Sequence, residues 1–79
     1  MTNWAKKYVK KQRGKDHWTV SYAYAGRRGE IHIWKNNGTD SGAPFMVYAG
    51  ANARYADTFE EATEIAQKLS GGAAIAKSL

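Results

Sequence analysis

From Trp18 onward, large and small residues alternate: Trp18, Val20, Tyr22 and Tyr24 are separated by Thr19, Ser21, Ala23 and Ala25. A period of two marks a strand with one buried face. Glu30-Ile31-His32-Ile33-Trp34 repeats the alternation. Gly26-Arg27-Arg28-Gly29 stands between the runs and predicts a β-hairpin with Arg27 and Arg28 at its tip. Setting Ala25 opposite Glu30 places Tyr24 against Ile31 and Tyr22 against Ile33. The bulky side chains then share one face, while Thr19, Ser21, Ala23, Glu30, His32 and Trp34 share the other.

Phe45-Met46-Val47-Tyr48-Ala49 predicts a third strand, with Pro44 at its start, where a missing donor is tolerated. Lys35 to Ala43 is polar and glycine-rich, a loop. Gly50 to Ala53 reads as a turn. Arg54-Tyr55-Ala56 reads as a continuation or a short further strand. The helix follows. Phe59, Ala62, Ile65, Ala66 and Leu69 recur at spacings of three and four, forming one apolar stripe. Thr58 with Glu61 three residues on is a capping box, and Gly71-Gly72 ends the helix. Glu60, Glu61 and Glu64 lie near its positive end, and Lys68 lies in its last turn.

The first fifteen residues admit two readings. Trp4 and Tyr8 are spaced for one helical turn, yet Tyr8-Val9 equally begins an edge strand running to Arg13, with Gly14 as a turn. We favour the strand. The order of residues 1–7 and 73–79 is left open. The expected fold is α+β, one domain spanning residues 1–79: a three- or four-stranded antiparallel sheet with one C-terminal helix packed on one face. The helix should cover Val20, Tyr22, Ile31 and Ile33 and leave the opposite sheet face open.

Charge adds direction to this picture. The net charge is +5, and six of the 12 basic residues, Lys6, Lys7, Lys10, Lys11, Arg13 and Lys15, precede the first acid, Asp16. Asp57, Glu60, Glu61 and Glu64 supply four of the 7 acids near the other end. A basic pole attracts phosphate or an acidic protein surface. Two plainer readings stand beside that one: edge lysines that deter strand aggregation, and a solvated tail. Arg27 and Arg28 offer bidentate contacts to phosphate, with solubilising a turn as the alternative. His32 and Trp34 on the open face, with Lys35 beside them, add contact area, unless Trp34 packs beneath the Lys35–Ala43 loop.

Other chemistry is sparse. There is no cysteine, so disulfides and thiolate zinc sites are excluded. No apolar run approaches the ~20 residues that span a bilayer, and charge follows Met1-Thr2-Asn3, so neither a membrane span nor a signal peptide is expected. A serine nucleophile needs a histidine and an orienting carboxylate, which His17 and His32 are not placed to provide. The acids at the start of the helix are explained by capping and the dipole. No phosphate-cradling glycine loop is present. A non-enzymatic protein without metal, cofactor or small-molecule substrate is expected.

Lys11-Gln12-Arg13-Gly14-Lys15, Trp18-Thr19-Val20-Ser21-Tyr22, Gly26-Arg27-Arg28 and Thr58-Phe59-Glu60-Glu61-Ala62 together resemble the arm-type DNA-binding domains of phage tyrosine integrases. That resemblance, over about two thirds of the chain, implies a three-stranded sheet backed by a helix, its free face entering the DNA major groove. Two departures are the long Lys35–Ala43 loop and the absence of a following catalytic domain. In size and style the chain is also similar to small phage-encoded anti-CRISPR proteins. The likenesses imply a bacterial host; the lack of a signal peptide or span makes a cytoplasmic location the expectation, and an exposed sheet edge allows a monomer or a weak homodimer. The protein would engage DNA or a nucleoprotein complex such as a CRISPR effector and block target DNA binding. A stand-alone DNA-binding accessory protein and a module for an acidic protein partner are the alternatives.

Overall fold

Two tight turns lay consecutive strands side by side. The computed structural model describes residues 3–13, 16–35 and 43–77. It contains α1 (Asn3–Tyr8), β1 (Lys10–Lys11), β2 (His17–Tyr24), β3 (Arg27–Lys35), β4 (Phe45–Ala49), β5 (Asn52–Ala56) and α2 (Phe59–Ser70). The strands form one sheet in the order β1-β2-β3-β4-β5, with every neighbour antiparallel. The α+β class is as the sequence predicts, with five strands rather than three or four. Gly50 and Ala51 alone make the turn between β4 and β5, so Asn52 and Ala53, read as turn residues, belong to β5.

The β2–β3 turn differs from the expected one. It consists of Ala25 and Gly26, at φ 51° and 79°. Two successive left-handed residues make a type I′ turn, whose twist matches the right-handed twist of the flanking strands. Tyr24 therefore pairs with Arg27, Val20 with Ile31 and Trp18 with Ile33. The partner of Tyr24 moves from the expected Ile31 to Arg27, a shift of four positions. An even shift preserves which face each side chain occupies. The bulky residues of β2 thus still share a face with Ile31 and Ile33. Arg27 and Arg28, however, are the first residues of β3 rather than a hairpin tip, and neighbours on a strand point to opposite faces. Gly29, expected in the turn, lies opposite Tyr22, whose ring covers it. Tyr24 extends past the core and is 72% exposed.

Val20, Ile31, Ile33 and Val47 form the floor of the core, each 0% exposed, and Ala62 and Ala66 of α2 press onto it. Alanine at the contact lets helix and sheet approach closely. Burial of each such aliphatic side chain contributes about 1.5–3 kcal/mol. Trp18, Phe45 and Phe59 pack at one end, with the Trp18 and Phe59 ring centroids 4.8 Å apart. Thr58 caps α2 by accepting from the Glu61 N–H at 3.1 Å. The Glu61 carboxylate accepts from the Asp57 N–H at 3.2 Å, one residue before the position a capping box usually uses.

The chain ends are where sequence and structure diverge most. The expected edge strand from Tyr8 to Arg13 is present but shortened to Lys10–Lys11, and the helix α1 precedes it, ending at Tyr8. Helical spacing buries Ala5 and Val9 together in the core and brings the Trp4 and Tyr8 rings to 5.2 Å. Beyond α2, the chain returns along the edge of β2. The Ala23 N–H donates to the Ala73 carbonyl, and the Ile75 N–H donates to the Ser21 carbonyl. The Lys77 N–H then reaches the Lys7 carbonyl, while Lys77 Nζ donates to the Val9 carbonyl at 3.1 Å. One edge of the sheet is therefore closed in two pieces: β1 beside Trp18 and Thr19, and the C-terminal segment beside Ser21 to Ala23.

Two stability outcomes follow from the hairpin. Ala25→Asn places a residue that tolerates positive φ in the type I′ turn, and should raise stability by roughly 0.5–1 kcal/mol in urea denaturation. Gly29→Ala should lower it by about 1–3 kcal/mol, because the new Cβ would lie 2.5 Å from the Tyr22 hydroxyl oxygen and 2.6 Å from its ring carbon.

Candidate binding surface

Strand parity assigns the face opposite α2. It carries His17, Thr19, Ser21 and Ala23 of β2; Arg28, Glu30, His32 and Trp34 of β3; Met46 and Tyr48 of β4; and Ala53 and Tyr55 of β5. The register builds cross-strand rows from these residues. His17 faces Trp34, which faces Met46, which faces Tyr55; Thr19 faces His32, which faces Tyr48.

Four rings of these rows form one network. His17 stacks on Trp34 with centroids 3.8 Å apart and planes within 3°. His17 Nε2 and His32 Nδ1 lie 2.9 Å apart in a hydrogen bond, one donating and the other accepting according to tautomer. Their centroids are 5.1 Å apart at 18°, a separation equal to that bond plus two ring radii, so the imidazoles meet edge to edge. His32 also packs on Tyr48 at 5.1 Å, and Trp34 Nε1–H donates to the Tyr48 hydroxyl at 3.0 Å. All four side chains are half-buried. Within each row the rings lie nearly parallel, His17 on Trp34 and His32 beside Tyr48. Gln12 Nε2–H donates to Thr19 Oγ1 at 2.8 Å, sealing the β1 side of the patch.

The cations distribute around this patch unevenly. Lys6 and Lys7 are exposed on α1, and Arg13 is exposed after β1. Lys10 pairs with Thr19 and shares the open face; Lys11 pairs with Trp18 and lies on the helix side, its Nζ 6.0 Å from the Trp18 ring centroid. Arg28 is on the open face, whereas Arg27 and Lys35 have the parity of the core. Lys15 lies outside the described residues, as does most of the loop expected to cover Trp34. The structure therefore gathers Lys10, Arg28, His32 and Trp34 on one surface, and separates Lys11, Arg27 and Lys35 from them.

His17 and Tyr48 complete the patch and were absent from the residues singled out by sequence. The signal for His17 was its alternation with Thr19 and Ser21, which already put it on the polar face. Its partner His32 emerges only from the observed register. Among the described residues, no group of three or more His, Cys, Asp or Glu side chains could hold a metal ion, and no helix is long and apolar enough to cross a membrane.

Tyr48→Phe isolates one bond of the network. It strands the Trp34 N–H in a half-buried site and should cost about 1 kcal/mol in urea denaturation, while Tyr55→Phe, at a residue 57% exposed, should change stability little. No protein family model, curated protein or solved structure matches this chain.

Proposed function

We propose that this chain is a non-enzymatic binding protein that engages DNA, free or within a nucleoprotein complex, through its open sheet face and the basic edge beside it. The observation that carries this reading is asymmetry. The α2 helix occupies one face of the sheet, while the other bears Lys10 and Arg28, with Lys6, Lys7 and Arg13 exposed on the neighbouring N-terminal segment. Exposed cations of this kind attract a phosphate backbone from a distance and then release its counterions. The bonding of both histidines to one another supports a structural use of those rings rather than a catalytic one.

Sheet width narrows the mode of contact. Five strands at ~4.8 Å spacing span roughly 19 Å, more than the roughly 12 Å of a major groove. Only part of the sheet fits there, and the cations favour the β1–β2–β3 side. The most concrete form of the reading is an inhibitor of the anti-CRISPR kind, which occupies the target-DNA path of an effector complex.

A fluorescence titration with duplex DNA over a range of salt tests the reading. Affinity should fall steeply with salt, by a logarithmic slope of about −0.9 per phosphate neutralised. Arg28→Ala should reduce the magnitude of that slope by about one, and Arg27→Ala should change it less, because the two side chains leave opposite faces. Absence of binding to duplex, or a flat salt response, would remove DNA as the partner.

A further inference from the structure

A groove of about 370 Å³ opens where the two chain ends meet the sheet. Lys10, Thr19, Ser21, Arg28, Glu30 and Ile75 line it. The register orders them. Lys10 lies level with Thr19, Ser21 is level with Glu30, and Arg28 is level with Ala23. Ile75, bonded through its N–H to the Ser21 carbonyl, forms the outer wall beside Ser21 and is 40% exposed. The groove thus has a cation at each end, hydroxyls along its floor, an apolar wall and one carboxylate in the middle.

Resting on the DNA-binding reading above, we infer that this groove is the seat of the phosphodiester backbone. Lys10 and Arg28 hold its two ends, and Glu30 moderates the affinity. The level of Thr19 and the level of Ala23 are four residues apart on β2, roughly 13 Å at ~3.3 Å per residue. Lys10 and Arg28 also lie two strands apart, roughly 10 Å sideways, so their backbones are roughly 16 Å apart, a separation that suits separate phosphates of one strand rather than a single compact anion. Ser21, exposed, supplies a hydroxyl of the type that bonds phosphate oxygens, while Thr19, buried and tied to Gln12, forms the floor beneath. Glu30 is the exception to this chemistry. Its charge opposes the ligand and competes for Arg28, so it sets an upper limit on binding strength. The C-terminal segment takes a direct part, because Ile75 and the Lys77 tie to Val9 build the wall that makes a groove out of a flat edge.

Duplex titrations of the full chain at several salt concentrations test this assignment. The variants are Lys10→Gln, Arg28→Gln, Glu30→Gln and, as a control on exposed α2, Lys68→Gln. Lys10→Gln and Arg28→Gln should each weaken binding roughly three- to ten-fold and cut the salt slope by about 0.9. Glu30→Gln should tighten binding by a similar factor, an effect that loss of fold would not produce, and Lys68→Gln should change little. If DNA binds but the groove variants behave like Lys68→Gln, or Glu30→Gln weakens binding, the groove assignment is overturned while the DNA reading stands. If the unaltered protein fails to bind at low salt, both fall.

Discussion

The sealing of Val20, Ile31, Ile33 and Val47 beneath Ala62 and Ala66 is the contact on which everything else depends. On a strand, burying one residue fixes the direction of all its neighbours. Once these four positions face α2, His17, Thr19, His32, Trp34 and Tyr48 have no choice but the other side. The candidate surface is therefore not an independent feature added to a scaffold. It is the complement of the core, written in the alternate residues of the same strands.

That complement has its own physical problem, because it is polar, aromatic and partly shielded from water. The molecule solves it by pairing within the patch. Trp34 bonds Tyr48, His17 bonds His32, and Gln12 bonds Thr19. Among the described residues, no buried side-chain nitrogen or oxygen lacks a hydrogen-bond partner. A network with its bonds made resists rearrangement, since opening one bond leaves partners desolvated. The ring patch is thus a stiff centre, and the adaptable contacts lie in the long cationic side chains around it.

Much of this was legible in the sequence because it rests on periodicity. The alternation from Trp18 to Tyr24, the stripe from Phe59 to Leu69, and the Thr58 cap are local patterns with strong physical causes. The misjudged parts rest on something a pattern does not carry. Ala25 adopts a left-handed conformation that alanine does not advertise, and the last strand pair is Tyr24–Arg27 rather than Ala25–Glu30, which centres the turn two residues earlier than the glycines suggested. Gly29 looked like a turn residue, yet its lack of a side chain serves the Tyr22 ring across the strand. The first residues satisfied a helical and a strand reading equally, and each holds in part: burial of Ala5 and Val9 goes with the helix, and the edge strand is confined to Lys10 and Lys11. The His17–His32 bond depends on a register that no single residue announces. The C-terminal segment joins the sheet through backbone groups, which any sequence possesses.

The closure of β2 by both chain ends has a consequence for how the molecule comes apart. Every other neighbouring pair of strands follows directly in sequence, so the meander is assembled from short-range steps. The tie from Lys77 to Val9 instead joins residues 68 positions apart, a long-range seam whose closure carries a large entropic cost. Such a seam is a natural first point of fraying. When the adjoining Ala73 and Ile75 bonds part with it, the backbone of Ser21 and Ala23 is offered to any extended strand nearby, so the bonds of the C-terminal segment also guard the sheet against exchange with a neighbour.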